Sequence, residues 1–263
     1  MEKMPVIFVG HGDPMRALKI NEMTKTLNKI GKEIIKKHGE PKAILTISAH
    51  WFTKDTFIQS AEFPKQIYDM YGFPDELYEV KYPVKGSKEL TKDVEKILGN
   101  EVKINDDWGI DHGTWTVFVH MFPEAKIPVV QLSVNANLSA NKAYKLGEKL
   151  AKLREKSYLI VGSGNIVHNL RAISWEHIDQ IGAGYDWAFA FRETVNQAIT
   201  TQDDKTLVHY DQLGEKAELS VPTPDHYLPL LYIMALREPQ DEITFFNDNL
   251  IAGSLSMTSV LVG

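Results

Sequence analysis

"LIVGSGNIVHN", residues 159–169, decides how this chain is read. Leu159, Ile160 and Val161 form a short apolar run of the kind found in a strand buried on both faces, and Gly162, Ser163, Gly164 and Asn165 then end it. His168 follows shortly afterwards. The same arrangement recurs twice: His11 comes directly after "VIFVG" at 6–10, and His50 directly after "ILTISA" at 44–49. In an open α/β sheet, ligands bind in the crevice outside the carboxyl ends of the strands, so a histidine placed there is informative.

Working outward, Ile127 to Val134 and Leu255 to Val262 also read as strands. Between the strands lie helical patterns at residues 21–38, closed by Gly39; at 88–98, capped by Ser87 and followed by Gly99; at 140–155, opened by Ser139; and at 186–200, with Trp187, Phe191, Val195 and Ile199 on one stripe. This alternation predicts an α/β fold: a central, mostly buried mixed β-sheet flanked by helices on both faces. No repeat, low-complexity tract or linker interrupts it, so residues 1–263 are expected to form a single domain. The segment from Trp51 to Pro83 breaks the alternation with eight Phe and Tyr residues, and is either a wall of a substrate pocket or a flap over the sheet edge.

Composition narrows the function. A net charge of −6 argues against a nucleic-acid partner, and the lysines between Lys25 and Lys37 fall on the solvent side of a helix whose apolar stripe is Met23, Leu27, Ile30 and Ile34. The absence of cysteine excludes disulfides, thiolate ligands and a cysteine nucleophile. The stretch Met1 to Gly10 has no secretory signal pattern, and the longest apolar run, Leu228 to Leu236, falls well short of the ~18 residues of a membrane span. The expectation is a cytoplasmic protein with no membrane association, and a homo-oligomer is possible.

Two more histidines sit in unusual settings: His112 in "WGIDHGTW" and His226 in "PTPDHYLPLL", where Thr223 is placed to cap a helix beginning at Pro224, with the His226 imidazole at the positive end of its dipole. One such histidine is ordinarily a hydrogen-bonded structural residue. Five in comparable settings point to a divalent metal, because neutral imidazole is the commonest nitrogen ligand and a site needs three or four such groups from different elements. His38, His120, His177 and His209 read as structural or exposed. "GSGN" lacks the rest of a phosphate-binding fingerprint, and neither Ser48 nor Ser163 lies in a nucleophile elbow.

With these residues assembled, the chain resembles the class III extradiol ring-cleavage dioxygenases, and within them the 4,5-DOPA dioxygenase branch. The resemblance runs nearly end to end: "GHGDPM" at 10–15, "SAHWF" at 48–52, "YGFPDELYEVKYPV" at 71–84, "WGIDHGTW" at 108–115, "VQLSV" at 130–134, "GSGNIVHNLR" at 162–171, "TPDHYLPLLY" at 223–232 and "GSLSM" at 253–257.

The resemblance implies an oxidoreductase that opens a catechol ring with O2 at a non-haem metal, giving a muconic semialdehyde-type product. His11, His50 and His226 would ligate the metal, with His168 a fourth ligand or an acid/base at its edge, and His112 an acid/base or substrate-binding group. Trp51, Trp115 and Asn169 are candidate substrate contacts, the two tryptophans reading equally well as core packing. Fe(II) is the expected cofactor for activity, and Zn(II) is able to copurify because it outcompetes Fe(II) at nitrogen sites. Two departures stand out: relatives such as protocatechuate 4,5-dioxygenase use two histidines and a glutamate where this chain has His226 in third place, and Asp13 replaces the usual serine. A zinc-dependent hydrolase or lyase on the same scaffold and a Memo-like peptide-binding protein are the alternative readings.

Overall fold

Neighbouring residues along the strands belong to different cores. In β1 (Val6–Gly10), Val6 and Phe8 pack into one apolar cluster while Ile7 and Val9 pack into another, as period-two geometry requires when both faces of a sheet are covered. The same split divides Leu45 and Ile47 from Ile44 in β2 (Ala43–Thr53), and Ile160 from Leu159 and Val161 in β6 (Tyr158–Gly164). The computed structural model describes residues 3–178 and 180–263; the first two residues of the amino-terminal stretch lie outside it.

The other strands are β3 (Phe57–Ile58), β4 (Lys103–Ile104), β5 (Val129–Asn135), β7 (Ile243–Phe246), β8 (Leu250–Ile251), β9 (Leu255–Ser256) and β10 (Ser259–Val262). Eight of them form one sheet in the order β4-β3-β5-β2-β6-β1-β10-β7. Its centre, β5-β2-β6-β1, is parallel, while β10 runs antiparallel to β1 and β7, and β3 antiparallel to β5. The sheet is mixed, as expected.

The helices are α1 (Glu22–His38), α2 (Asp75–Glu79), α3 (Lys88–Leu98), α4 (His112–Met121), α5 (Ala140–Lys149), α6 (Asp186–Thr200), α7 (Asp204–Val208), α8 (Glu215–Ser220) and α9 (Leu228–Met234). Leu27, Ile30 and Ile34 of α1 and Trp115 and Phe118 of α4 cover one face of the sheet. Residues of α3, α5, α6 and α9 cover the other.

Three sequence expectations need correction. The helix read over 140–155 stops at Lys149, and a tighter 3-10 segment, Leu150–Lys156, carries Leu150, Leu153 and Arg154 into the core before Ser157 turns with a φ of 63°. The strand read over 255–262 is two: β9 pairs with β8 in a separate ribbon, and only β10 joins the main sheet. The segment opened by Pro224 is a single 3-10 turn, Pro224–His226, in which the Thr223 side chain makes no cap bond to the backbone. Its hydroxyl goes instead to the Asp225 carboxylate, and α9 begins two residues later.

Register sets up the site. β1 and β2 both flank β6, and their pairing places Val9, Ser163 and Ser48 in one row. His11 and His50 each lie two residues beyond that row. Each therefore faces the same side of the sheet as the residue two before it, the side covered by α4. The carboxyl ends of the strands thus carry these two imidazoles at one level.

Candidate metal centre

Four histidine rings converge above the ends of β1 and β2. The His11 ring centroid lies 4.9 Å from His50, 5.2 Å from His226 and 5.7 Å from His112. His50 is 3.9 Å from His112 and 5.0 Å from His226. His112 arrives from the first residue of α4, and His226 from the turn before α9. His226 reaches the cluster because its carbonyl packs directly on β6: a side chain at Gly164 would meet that oxygen at 2.2 Å, and the same oxygen accepts from the Asn165 amide at 2.9 Å. Gly113 has a similar role, since a Cβ there would lie 2.8 Å from Ser48 Oγ and 3.0 Å from the His50 ring.

The hydrogen bonds assign the tautomers. Ser163 Oγ donates its one proton to the Gly113 carbonyl at 2.5 Å, so it accepts from His11 Nδ1 at 3.0 Å. Asp69 Oδ2 accepts from His50 Nδ1 at 3.1 Å and from His112 Nδ1 at 2.9 Å, and Asp69 Oδ1 accepts from the His112 amide at 2.9 Å. Asp225 accepts from His226 Nδ1. Every Nδ1 in the cluster is therefore occupied by an outer partner, which leaves each neutral ring with a bare Nε2, the arrangement in which imidazole binds a metal.

Two observations show that these bare nitrogens suit a cation. His226 Nε2 is buried without a hydrogen-bond partner, and the Nε2 atoms of His11 and His50 face each other at 3.0 Å. Two lone pairs at that distance repel unless a proton or a metal lies between them. His11, His50 and His226 offer nitrogens within 4.8 Å of one another, and two further groups, His50 with Asp69 and His112, and His168 with Asp225 and His226, bring imidazole nitrogens and a carboxylate oxygen equally close.

Electrostatics follow from the same contacts. Burial, then the neighbouring imidazoles, hold the His11 pKa well below its ordinary value. Burial also lowers that of His226, to about 4, against the opposing pull of Asp225. At His50 burial acts downward too, but the Asp69 hydrogen bond and the Asp111 charge raise the net value. Although burial opposes its charge, bonds from His112 and His50 hold the Asp69 carboxyl well below the usual carboxylate range.

Among the sequence candidates, His11, His50, His112 and His226 come together. His168 lies flat on the far side of His226, with centroids 3.5 Å apart and planes within 5°, and burial followed by His226 lowers its pKa to about 2. Trp115 is fully buried and donates its indole N–H to the Ile67 carbonyl at 3.0 Å; Trp51 is 4 % exposed and stacks on Phe57. Side chains so enclosed present no face to an entering ring, so packing is the role their surroundings give them. Asn169 is likewise committed to backbone, donating to Leu219 O at 2.7 Å and accepting from the Arg171 amide at 3.1 Å. His120 is buried against the Arg16 carbonyl, and His209 is exposed.

The carboxylates were missed in the sequence. Asp225 and Asp111 each precede a singled-out histidine, a signal that was available. Asp111 is buried beneath the site, accepting from Ser48 Oγ at 2.7 Å, Trp108 Nε1 at 3.2 Å and Gln131. Asp69 comes from the aromatic segment 51–83, which is anchored by the Tyr68 hydroxyl on Val80 O at 2.7 Å and by a bridge between Gln66 and Ile110. That segment serves less as an edge cover than as the carrier of Asp69. The Asp69→Asn variant is expected to weaken divalent metal binding by about 10–100-fold, the usual consequence of losing a carboxylate behind a ligand histidine, as metal titration by calorimetry will read.

Four histidines thus converge over parallel strands of a mixed sheet with both faces covered. Residues 4–218 match the family of the catalytic LigB subunit of aromatic ring-opening dioxygenase. The chain belongs to that family and is an extradiol ring-cleavage dioxygenase. It is 41 % identical over 266 residues, 99 % of this chain and 95 % of the relative, to the 4,5-DOPA dioxygenase extradiol of Escherichia coli K12. A protein of the same description from Beta vulgaris is 33 % identical over 256 residues, spanning 96 % and 94 % of the two chains. A crystal structure of an uncharacterized protein from Escherichia coli K12 superposes with a TM-score of 0.85 at 38 % identity, covering 99 % of this chain and all of that one. Among the described residues no helix is long and apolar enough to cross a membrane.

Proposed function

We propose that this chain opens the ring of a catechol bearing a DOPA-like side chain, by extradiol addition of O2, at an Fe(II) held by His11, His50 and His226, giving a muconic semialdehyde-type product. The supporting observation is the set of three Nε2 atoms from three chain segments, each freed for a cation by a partner on its own Nδ1. Bound there, Fe(II) would supply redox-active Lewis-acid chemistry for activating the diol and O2.

The remaining work falls to the protein. A catechol must lose a phenolic proton to chelate, and His112 is the acceptor we assign: Asp69 holds its Nδ1–H, so Nε2 is the atom free to take a proton. Asp69 also holds His50, which fixes the acceptor relative to the ligand. His168, stacked on His226 and kept neutral by burial, would offer a neutral imidazole as a hydrogen-bond partner to the bound substrate. Helices on both faces and the buried Asp111 network limit water at the site, which strengthens each of these interactions.

Oxygen uptake by protein stripped of metal and reloaded anaerobically with Fe(II), across a panel of catechols, tests the reading. Stoichiometric consumption with a yellow ring-opened product is expected. Silence with every catechol at full iron loading removes it and favours a zinc hydrolase or lyase.

A further inference from the structure

Asp111 neither caps its helix nor pairs with a cationic side chain. It stands at the amino end of α4, where its backbone carbonyl accepts from the Thr114 and Trp115 amides at 2.9 and 3.0 Å. Its side chain makes no bond to the amides of that turn, the usual work of an aspartate in this place. The residue is fully buried. Among the described residues it makes no ion pair with lysine or arginine, and the groups whose charge acts on it most are His50, Asp69 and His112.

Its partners show the carboxyl to be ionised. Trp108 Nε1 donates to Oδ2 at 3.2 Å. Gln131 turns its NH2 to the same oxygen, because its own Oε1 already accepts from the Thr114 hydroxyl at 2.9 Å and the Asp111 amide at 3.4 Å. Ser48 Oγ accepts from the His50 amide at 3.3 Å, and so gives its proton to Oδ1 at 2.7 Å. Both oxygens are met by donors alone, and a proton on either would find no acceptor. A carboxylate out of water is costly without a positive charge nearby. Burial does push this carboxyl up, with His50 the largest opposing influence.

The compensating charge belongs to the centre above it. A divalent ion on His11, His50 and His226 rests on three neutral rings. Asp69 and Asp225, each bonded to a ligand ring, balance its two charges, and Asp111 adds a third negative charge. A Cβ on Gly113 would lie 3.0 Å from the His50 ring and 3.3 Å from Asp111 Oδ1, so both groups border one methyl-sized position. Among the described residues no hydrogen bond joins the Asp111 carboxylate to an imidazole. Its influence therefore travels through space, and through Ser48 to the β2 backbone at His50.

We propose that Asp111 is a positioning residue of the metal centre whose carboxylate supplies the third negative charge, strengthening metal binding and holding down the reduction potential of iron there. The inference rests on the reading of His11, His50 and His226 as the metal ligands. The potential falls because each added positive charge on the metal gains one more unit of attraction to a fixed anion.

Asp111→Asn keeps the shape, its oxygen facing Trp108 and Gln131 and its NH2 facing Ser48 Oγ, which is able to accept as well as donate. Zn(II) titration by calorimetry is expected to show binding at least about tenfold weaker than in the parent chain. In iron-loaded protein the Fe(III)/Fe(II) midpoint is expected to rise by at least about 59 mV, the one-electron equivalent of a tenfold change in relative affinity for the two ions. Ser48→Ala keeps the carboxylate and removes one donor, so it is expected to move both readouts less. An unchanged affinity or an unchanged midpoint in Asp111→Asn overturns the proposal. A Ser48→Ala effect as large as that of Asp111→Asn does so too, since it assigns the effect to the strand contact. If the amide variant fails to fold, Asp111→Ser, smaller and also neutral, is read against the same two outcomes. A parent chain that binds no Zn(II) removes the ligand reading and the proposal with it. Zn(II) binding that responds to Asp111, without catechol-dependent oxygen uptake, leaves the third charge standing and removes the ring-cleavage reading.

Discussion

The His226→Ala variant is expected to lose its divalent metal and its catechol-dependent oxygen uptake, while unfolding in metal-free form no earlier than the parent chain. His226 Nε2 is a buried acceptor with no partner, and such a group costs about 1–3 kcal/mol in the metal-free fold. Removing it relieves that cost and offsets the lost packing. Asp225 keeps Thr223 and some solvent, so it is not left buried and alone. Metal binding moves the other way: one of three converging nitrogens is gone, a larger loss than that of an outer partner, which alone costs about 10–100-fold. Because a ligand that binds only the folded state stabilises it by mass action, added metal raises the melting temperature of the parent chain. The same metal is expected to leave the variant unmoved. Thermal scans with and without metal, beside oxygen uptake, read both effects; a variant that still gains stability from metal and consumes oxygen removes His226 from the ligand set.

What the sequence disclosed and what it hid follow one physical line. β1, β2 and β6 were legible because a strand covered on both faces is a short apolar run; His11 and His168 follow the ends of β1 and β6, whereas His50, read as following its strand, lies within β2, which runs on to Thr53. α1, α3 and α6 were legible from amphipathic stripes and caps such as Ser87. α4 was not, because nearly every residue from His112 to Met121 is buried and no polar face sets a period. The stop of α5 at Lys149 was hidden as well, since the 3-10 continuation keeps the same apolar spacing for another two turns. Trp51 and Trp115 sit next to site residues in sequence but project into packing, because along β2 and around α4 neighbours face different ways. Asp69 left no trace, since its partners His50 and His112 come from elements far away in the chain and only the folded segment 51–83 brings it beneath them.

The end of the sheet opposite the metal centre is tied by a buried ion pair between Arg154 and Asp241, and Asp241→Ala is expected to lower the unfolding free energy by about 3–5 kcal/mol, the cost of stranding a buried charge. Arg154 is 1 % exposed and ties three segments at the amino ends of the strands. Its Nε donates to Met4 O at 2.8 Å, its Nη1 to Leu236 O at 2.8 Å, and its two Nη atoms grip Asp241 at 2.6 and 3.2 Å. At roughly 2–4 °C per kcal/mol for a chain of this size, the shift in melting temperature is large. The effect carries a pH signature. Burial opposes the charge on Asp241, but the Arg154 bond and the Glu238 amide hold its carboxyl below the usual range. A folded pKa below the unfolded value of about 3.9 means that the contribution is complete above that pH and is lost as pH falls through the folded value. Acid unfolding of the variant is therefore expected to show a shallower dependence on pH below about 4. The double change Arg154→Met, Asp241→Leu removes both charges and is expected to be more stable than Asp241→Ala alone. Urea titrations of the parent and both variants decide it: if the double variant is the weaker, Arg154 acts through its backbone bonds to Met4 and Leu236, and the ion pair with Asp241 is secondary.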